Sequence, residues 1–249
     1  MKTLSALFLA VIIFYGCSST EKTTEKTKET PKVEKKETPP PTKSKNLKNN
    51  DLVEREYINS ANINIIEKLR FDYNQSGQLE NKGKLSTSTY NNKGFLTGMT
   101  IYDDDGKVDT RYEYQYDNSG RRIATIRYNK KDEVDKKYTY EYNDYGNKIK
   151  STRLNIRNEM EKYYEYEYDG DGNLTKEEWY DKSGTLEYKV ENEYDDEGRK
   201  TVSTTYNGDG DLISKYEFKY DDKGNVTEEV RKDAKGKSLG IVQYVYKYF

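Results

Sequence analysis

The chain contains no histidine and a single cysteine. The first absence removes the commonest general base and the commonest zinc ligand. The second excludes an intrachain disulfide. Proline is missing from most of the chain: all four residues (Pro31, Pro39, Pro40, Pro41) precede residue 42. Long hydrophobic runs are missing too, apart from Leu4 to Tyr15, which is too short for a stable membrane span. Charged residues make up 35% of the chain and the hydrophobic set only 32%, a balance that favours disorder unless aromatic residues compensate. They do, because 26 residues are tyrosine. Each buried aromatic ring removes about 150–250 Å² from water, so a Tyr-rich core can hold a fold that aliphatic residues alone would leave marginal.

Charge divides the chain. Ser18 to Asn50 carries nine Lys and five Glu, whereas residue 51 onward carries 33 Lys and Arg against 40 Asp and Glu. An acidic segment with interspersed signs is a poor polyanion binder, so nucleic acid is not an expected partner.

The first 16 residues have signal-peptide anatomy. Lys2 supplies the positive start, LSALFLAVIIFY the apolar stretch, and Gly16 a small residue before Cys17. The Gly16-Cys17 pair resembles a lipobox, with Phe14 and Tyr15 departing from the usual Leu and small residue. That resemblance implies cleavage before Cys17 and a diacylglycerol on its thiol. The expected location is therefore the cell envelope, with the chain lipid-anchored to a bacterial membrane, and the outer membrane or cell surface favoured. Residues 17–50 then form a Lys/Glu/Thr/Pro tether with almost nothing apolar to offset ordering. Such a segment spans about 30 Å as a coil.

From residue 51 to 249 the sequence is a repeat. Tyr followed by Asp or Asn, with Gly four residues after the Tyr, begins at Tyr73, Tyr90, Tyr102, Tyr116, Tyr142, Tyr168, Tyr180, Tyr194, Tyr206 and Tyr220. From Tyr90 the spacing alternates between 12 and 14 residues, a super-repeat of 26. Tyr128 keeps the slot but has Asp132 for the glycine, and Leu154 with Asn158 forms the most degenerate copy. Asp or Asn opens a type I turn, and Gly closes it in the left-handed conformation of a G1 bulge. The turn glycines are Gly77, Gly94, Gly106, Gly120, Gly146, Gly172, Gly184, Gly198, Gly210 and Gly224. Between turns the residues alternate, as in YEYQY, YTYEY and YEYEY, which reads as strands. The fold class is all-β: an antiparallel meander of roughly a dozen strands, curved or spirally wound, with the repeat tyrosines on the inner face. A flatter single-layer sheet is the alternative.

YDNSGRRIATI (116–126), YDGDGNLTKEE (168–178), YDDEGRKTVST (194–204) and YDDKGNVTEEV (220–230) resemble Rhs/YD repeats. That resemblance implies a spiral β-shell. The closing YVYKYF segment and the small strand number argue against a payload-carrying shell.

Other constellations have simpler readings. The acidic turns DDDG (103–106), DGDG (169–172) and NGDG (207–210) offer oxygen ligands, but turn chemistry alone requires those residues; no metal or cofactor is expected. Glu165/Glu167 and Glu191/Glu193 share a face by parity and invite a glycosidase reading, with no pocket around them. Trp179, opposite in parity to Tyr180, is expected to point outward. An outer-membrane barrel is rejected, because the C-terminal alternation fails and Lys148, Lys150, Lys176 and Glu178 fall on the Tyr face. The expected function is non-catalytic binding of a protein or glycan by a tethered domain, through the charged strand face or through edge strands near Ile63 to Phe71 and Val242 to Phe249. A structural spacer without a specific ligand is the alternative, and a hydrolase is least favoured. Cys17→Ser should release the protein from the membrane or leave an unprocessed precursor. Detergent partitioning measures it, and wild-type partitioning of the mutant would sink the lipoprotein reading.

Overall fold

A computed structural model describes residues 50–249; the signal peptide, Gly16, Cys17 and nearly all of the tether lie outside the described residues. One helix, α1 (Asn50–Ser60), precedes fourteen strands. These are β1 (Ile63–Tyr73), β2 (Leu79–Tyr90), β3 (Leu96–Tyr102), β4 (Val108–Tyr116), β5 (Arg122–Tyr128), β6 (Val134–Tyr142) and β7 (Lys148–Asn155). They continue as β8 (Met160–Tyr168), β9 (Leu174–Asp181), β10 (Leu186–Tyr194), β11 (Lys200–Asn207), β12 (Leu212–Tyr220), β13 (Val226–Lys232) and β14 (Ser238–Tyr248). Glu54, early in α1, suits the helix dipole. Asn62, left-handed at φ 56°, ends it.

Each turn follows one rule. In the β4–β5 hairpin the Asp117 carboxylate accepts the backbone N–H of Ser119 and of Arg121, both at 2.9 Å. Gly120 N–H then closes on the Asp117 carbonyl at 3.0 Å. The ten glycines named above have φ between 74° and 90°, while Asp132 and Asn158 stand in the same conformation at 61° and 60°. Register slips by one beside every turn from β2 onward, as between Gln115 and Tyr116, whereas in the β1–β2 hairpin the slips lie further from the turn, at Lys68/Leu69 and Arg70/Phe71.

The meander is antiparallel throughout, but it neither stays open nor winds on as a spiral: it closes into a barrel through β1 and β14. The expected edge strands are therefore partners, paired from Ile63↔Tyr248 to Asp72↔Gly240. Phe249 N–H seals the seam on the Asn62 carbonyl at 2.9 Å. Two physical reasons drive closure. An open sheet leaves two rows of unpaired backbone groups. The stagger also returns on itself: Tyr114 pairs through Thr125 to Tyr138, the slot that Tyr112 occupies one repeat earlier. That is one residue of shear per strand, the ratio found in eight-stranded barrels tilted about 36°. At fourteen strands a round barrel is about 26 Å across, wider than a single layer of side chains fills.

The bulges also change which side each residue faces. Tyr90, Tyr116, Tyr142, Tyr168, Tyr194 and Tyr220 point inward, whereas Tyr102, Tyr128, Tyr180 and Tyr206 lie on the outer wall with their cross-strand neighbours. The expectation of a single Tyr face fails because each extra bulge residue reverses the alternation. Trp179 accordingly faces inward, edge-on to Tyr164 and Tyr188 at 5.4 and 5.8 Å.

The inner tyrosines at the rim that carries α1 tie the barrel together. Tyr116 Oη donates to the Leu96 carbonyl at 2.9 Å, Tyr142 to Arg122 at 2.6 Å, and Tyr168 to Lys148 at 2.8 Å. Tyr194, Tyr220 and Tyr246 repeat the bond to Leu174, Lys200 and Val226 at 2.8, 2.7 and 2.9 Å. Each acceptor is the first residue of an odd-numbered strand, beside its bulge. Gly172→Val should lower the unfolding free energy by about 1–2 kcal/mol, the left-handed penalty of a side chain, and the midpoint with it, while Gly172→Asn should cost little, as Asn158 already does at this slot. Urea unfolding of both variants is the measurement; equal midpoints would remove the turn assignment.

Candidate functional site

Two surfaces are available for chemistry, the outer wall and the interior. The outer wall is charged and well paired. Lys84 and Lys247 meet Glu67 at 2.5 and 2.9 Å, Lys176 meets Glu167 at 2.6 Å, and Lys189 meets Glu191 at 2.8 Å. Exposed pairs of this kind contribute about 0–1 kcal/mol each, so their value lies in solubility and recognition rather than stability. Cations also lie over outer tyrosine rings: Arg111 over Tyr128 at 3.8 Å and Lys189 over Tyr206 at 4.8 Å. Tyr163 and Tyr180 stack at 4.8 Å with Lys150 over Tyr163. Of the four charges assigned above to the Tyr face, Lys148 points inward, over Tyr166, and Lys150, Lys176 and Glu178 point out. The sheet closes into a barrel, and Lys150 and Lys176 on its outer face would each cost about 2–4 kcal/mol at lipid depth. No described helix is long and apolar enough to cross a membrane.

The carboxylates singled out earlier lie on this wall or in turns. Glu167 and Glu191 hold the ion pairs just described, and Glu165 lies opposite Glu178. In the acidic turns, Asp103 accepts from Asp105 and Lys107 N–H at 3.1 and 2.8 Å, and Asp169 from Asp171 and Asn173 N–H at 3.0 and 2.8 Å. In each turn both amides go to one carboxylate oxygen, Oδ1, which is the bonding the turn chemistry requires.

One rim is shaped by α1. Ile58 is buried, and Arg55 lies over the Phe95 ring at 4.5 Å. The Arg55 carbonyl would sit 2.1 Å from a Cβ at Gly94, so the helix requires glycine there for its close approach as well as for its turn. The cleft between α1 and the barrel, lined by Glu54, Tyr90, Leu96 and Tyr116, holds about 20 Å³, room for one water and not for a metabolite.

The interior is aromatic and charged. Tyr164, Tyr166 and Tyr244 are buried. Lys68 reaches Glu229 at 3.1 Å, and Tyr244 Oη donates to the same carboxylate. The Trp179 indole N–H donates to Glu177 at 2.7 Å. Burial holds the Glu177 carboxyl above its ordinary range, with Lys148 and Lys200 pulling the other way. Burial brings the Lys200 ammonium down to about 8, against the charge of Glu229. Interior chemistry was not legible in the sequence, because a single-layer sheet was expected to enclose little space. The available signal was the 26-residue register, which places Glu177, Lys200 and Glu229 at slots filled by other residues in neighbouring copies.

No family model matches the chain, and no curated protein matches it. Among solved structures, a porin-like protein from Bacteroides uniformis aligns over 74% of this chain and 98% of its own, at 12% identity and a TM-score of 0.41. A DUF1329 family protein from Desulfovibrio piger aligns over 78% of this chain and 89% of its own, at 12% identity and a TM-score of 0.33. A TcdB2-TccC3-Cdc42 structure aligns over 72% of this chain but 12% of that chain, at 18% identity and a TM-score of 0.27.

The interior charges set a pH profile. A lysine whose folded pKa lies below its unfolded value binds its proton less well in the native state. Lys200 therefore adds stability as pH rises from about 8 toward its ordinary 10.5. Buried tyrosines act in the opposite sense. Burial pushes Tyr112 up to about 12, so above the ordinary 10.0 the unfolded chain ionises first and stability falls. The urea midpoint should rise between about pH 8 and 10 and drop beyond it. Lys200→Met should lack the rise; a rise of equal size in that variant would refute the assignment.

Proposed function

We propose that this chain is a lipid-tethered envelope protein whose barrel stands in an aqueous compartment and binds a protein or glycan partner on its outer wall, without catalysis. The observation that carries the reading is the outer wall itself. It is closed, so no strand edge is offered to a partner. It also carries Lys/Glu ladders and cation-capped tyrosines in place of an apolar band. Tyrosine and arginine are favoured at recognition surfaces. The lipobox-like Gly16-Cys17 pair and the Lys/Glu/Thr/Pro tether supply the anchor in this reading. Among the described residues α1 leads into β1 at one rim of the barrel.

Edge pairing is no longer an available mode, so recognition falls to the charged face, where screening acts within about 8–10 Å at physiological ionic strength. Capture of a partner from envelope or host extract by the full chain should therefore weaken several-fold between about 0.05 and 0.5 M salt. Salt-insensitive capture would count against the charged wall, and failure to capture any protein or glycan at low salt would favour the spacer role.

A further inference from the structure

The inner tyrosine ladder is interrupted in two successive copies. At one level of the interior, Tyr114, Tyr140, Tyr166 and Tyr244 each place a hydroxyl on the residue fifteen positions earlier. Tyr114 reaches Met99 Sδ at 3.7 Å, Tyr140 reaches Thr125 at 2.6 Å, Tyr166 reaches Ser151 at 2.8 Å, and Tyr244 reaches Glu229. The same register puts Asn192 and Phe218 where the two intervening tyrosines would stand. Phe218 keeps the ring but has no hydroxyl for Ser203. Asn192 lacks the ring, and its amide is drawn aside to the Leu174 carbonyl at 3.0 Å. Its Oδ1 is buried and accepts no hydrogen bond.

The groups around this gap are polar and under-used. Lys200 is 3% exposed. Among the described residues its Nζ makes no hydrogen bond or salt bridge; the Phe218 ring lies at 5.2 Å, and the charges of Glu229 and Glu177 act on it from further away. Thr205 is 1% exposed and its Oγ1 has no partner. Glu177 stands where the absent tyrosine would deliver its hydroxyl, held by Trp179 at 2.7 Å. Ser203 lies directly across from Asn192. Native interiors pair such groups, and a buried ammonium without a partner is costly. Unmet buried groups also occur elsewhere, at Asn147 and Asn225 for example, but here they coincide with the two interruptions of the tyrosine ladder, and that coincidence calls for an occupant that supplies what the repeat omits.

We propose that the interrupted stretch of β9–β12 is an interior binding site for a small 4-hydroxyphenyl carboxylate. The aromatic ring takes the space of the absent tyrosine at 192, between Trp179 and Phe218. The phenolic hydroxyl meets Glu177 as Tyr244 meets Glu229. The carboxylate is received by Lys200. The chemistry is complementary at each end, and no covalent step is involved. This site is independent of the outer-wall reading.

Trp179 is the only tryptophan in the chain, so its fluorescence reports the site in the full-length protein. Titration with 4-hydroxyphenylacetate should give a saturable change, and the corresponding amide should bind at least about tenfold more weakly. Lys200→Met should lose that preference for the acid while remaining folded, since methionine fills much the same volume without the charge. Asn192→Tyr should restore the ladder and block both probes, with an unfolding temperature no lower than wild type. Absence of a saturable signal in the wild type would overturn the proposal, as would unchanged acid affinity in Lys200→Met. Should Asn192→Tyr fail to fold, the acid/amide pair and Lys200→Met still decide.

Discussion

Everything in this barrel depends on one hydrogen bond made six times: a tyrosine hydroxyl donating to the carbonyl of the residue twenty positions earlier. The turn chemistry creates the need for it. A bulge beside each turn at the α1 rim disrupts the ladder locally and exposes a backbone acceptor on the inner side. Left dry, that carbonyl would cost about 1–3 kcal/mol. The tyrosine reaches it from the next even strand, so the group that satisfies the bulge also links adjacent hairpins. Tyrosine suits the task where phenylalanine would not, because it supplies apolar area along its ring and a donor at its tip.

The same dependence explains how a chain so poor in aliphatic residues keeps a core. Among the described residues nine buried hydrophobic side chains are aliphatic, Ile63 and Val226 the most completely, and four are tyrosines. The rest of the interior is built from rings whose polar ends are met by Thr125, Ser151 and Glu229. Buried polar networks are favourable when every member is satisfied and costly when one is not. This makes the lining specific in register, and it makes local departures from the pattern conspicuous.

Turns and strands were legible in the sequence because they rest on local chemistry: Asp or Asn to bond the backbone, Gly to turn left-handed, alternation between. Asp132 and Asn158 confirm how local that chemistry is, since each adopts the glycine conformation in its own copy. The faces were not legible. Parity counted through a bulge gives the wrong side, which is why Trp179 was placed outside and Tyr180 inside when the reverse holds. Closure was not legible either, because pairing of β1 with β14 joins residues at opposite ends of the domain and no local pattern announces it. The interior charges followed from closure and were hidden with it, although the missing tyrosines at 192 and 218 were visible in the register.

The stagger of one residue per strand has a consequence for how such barrels can change size. Adding or deleting one 26-residue unit alters the strand number by two and the shear by two, so the tilt stays the same. The ring can therefore grow or shrink in whole hairpins while neighbouring strands keep their pairing. Because the two ends of the sheet meet at Asn62 and Phe249, any of the turns could serve equally well as the opening of the chain. The gene for such a domain can lengthen by unequal crossing-over and still encode a sealed ring, with circumference as the only variable.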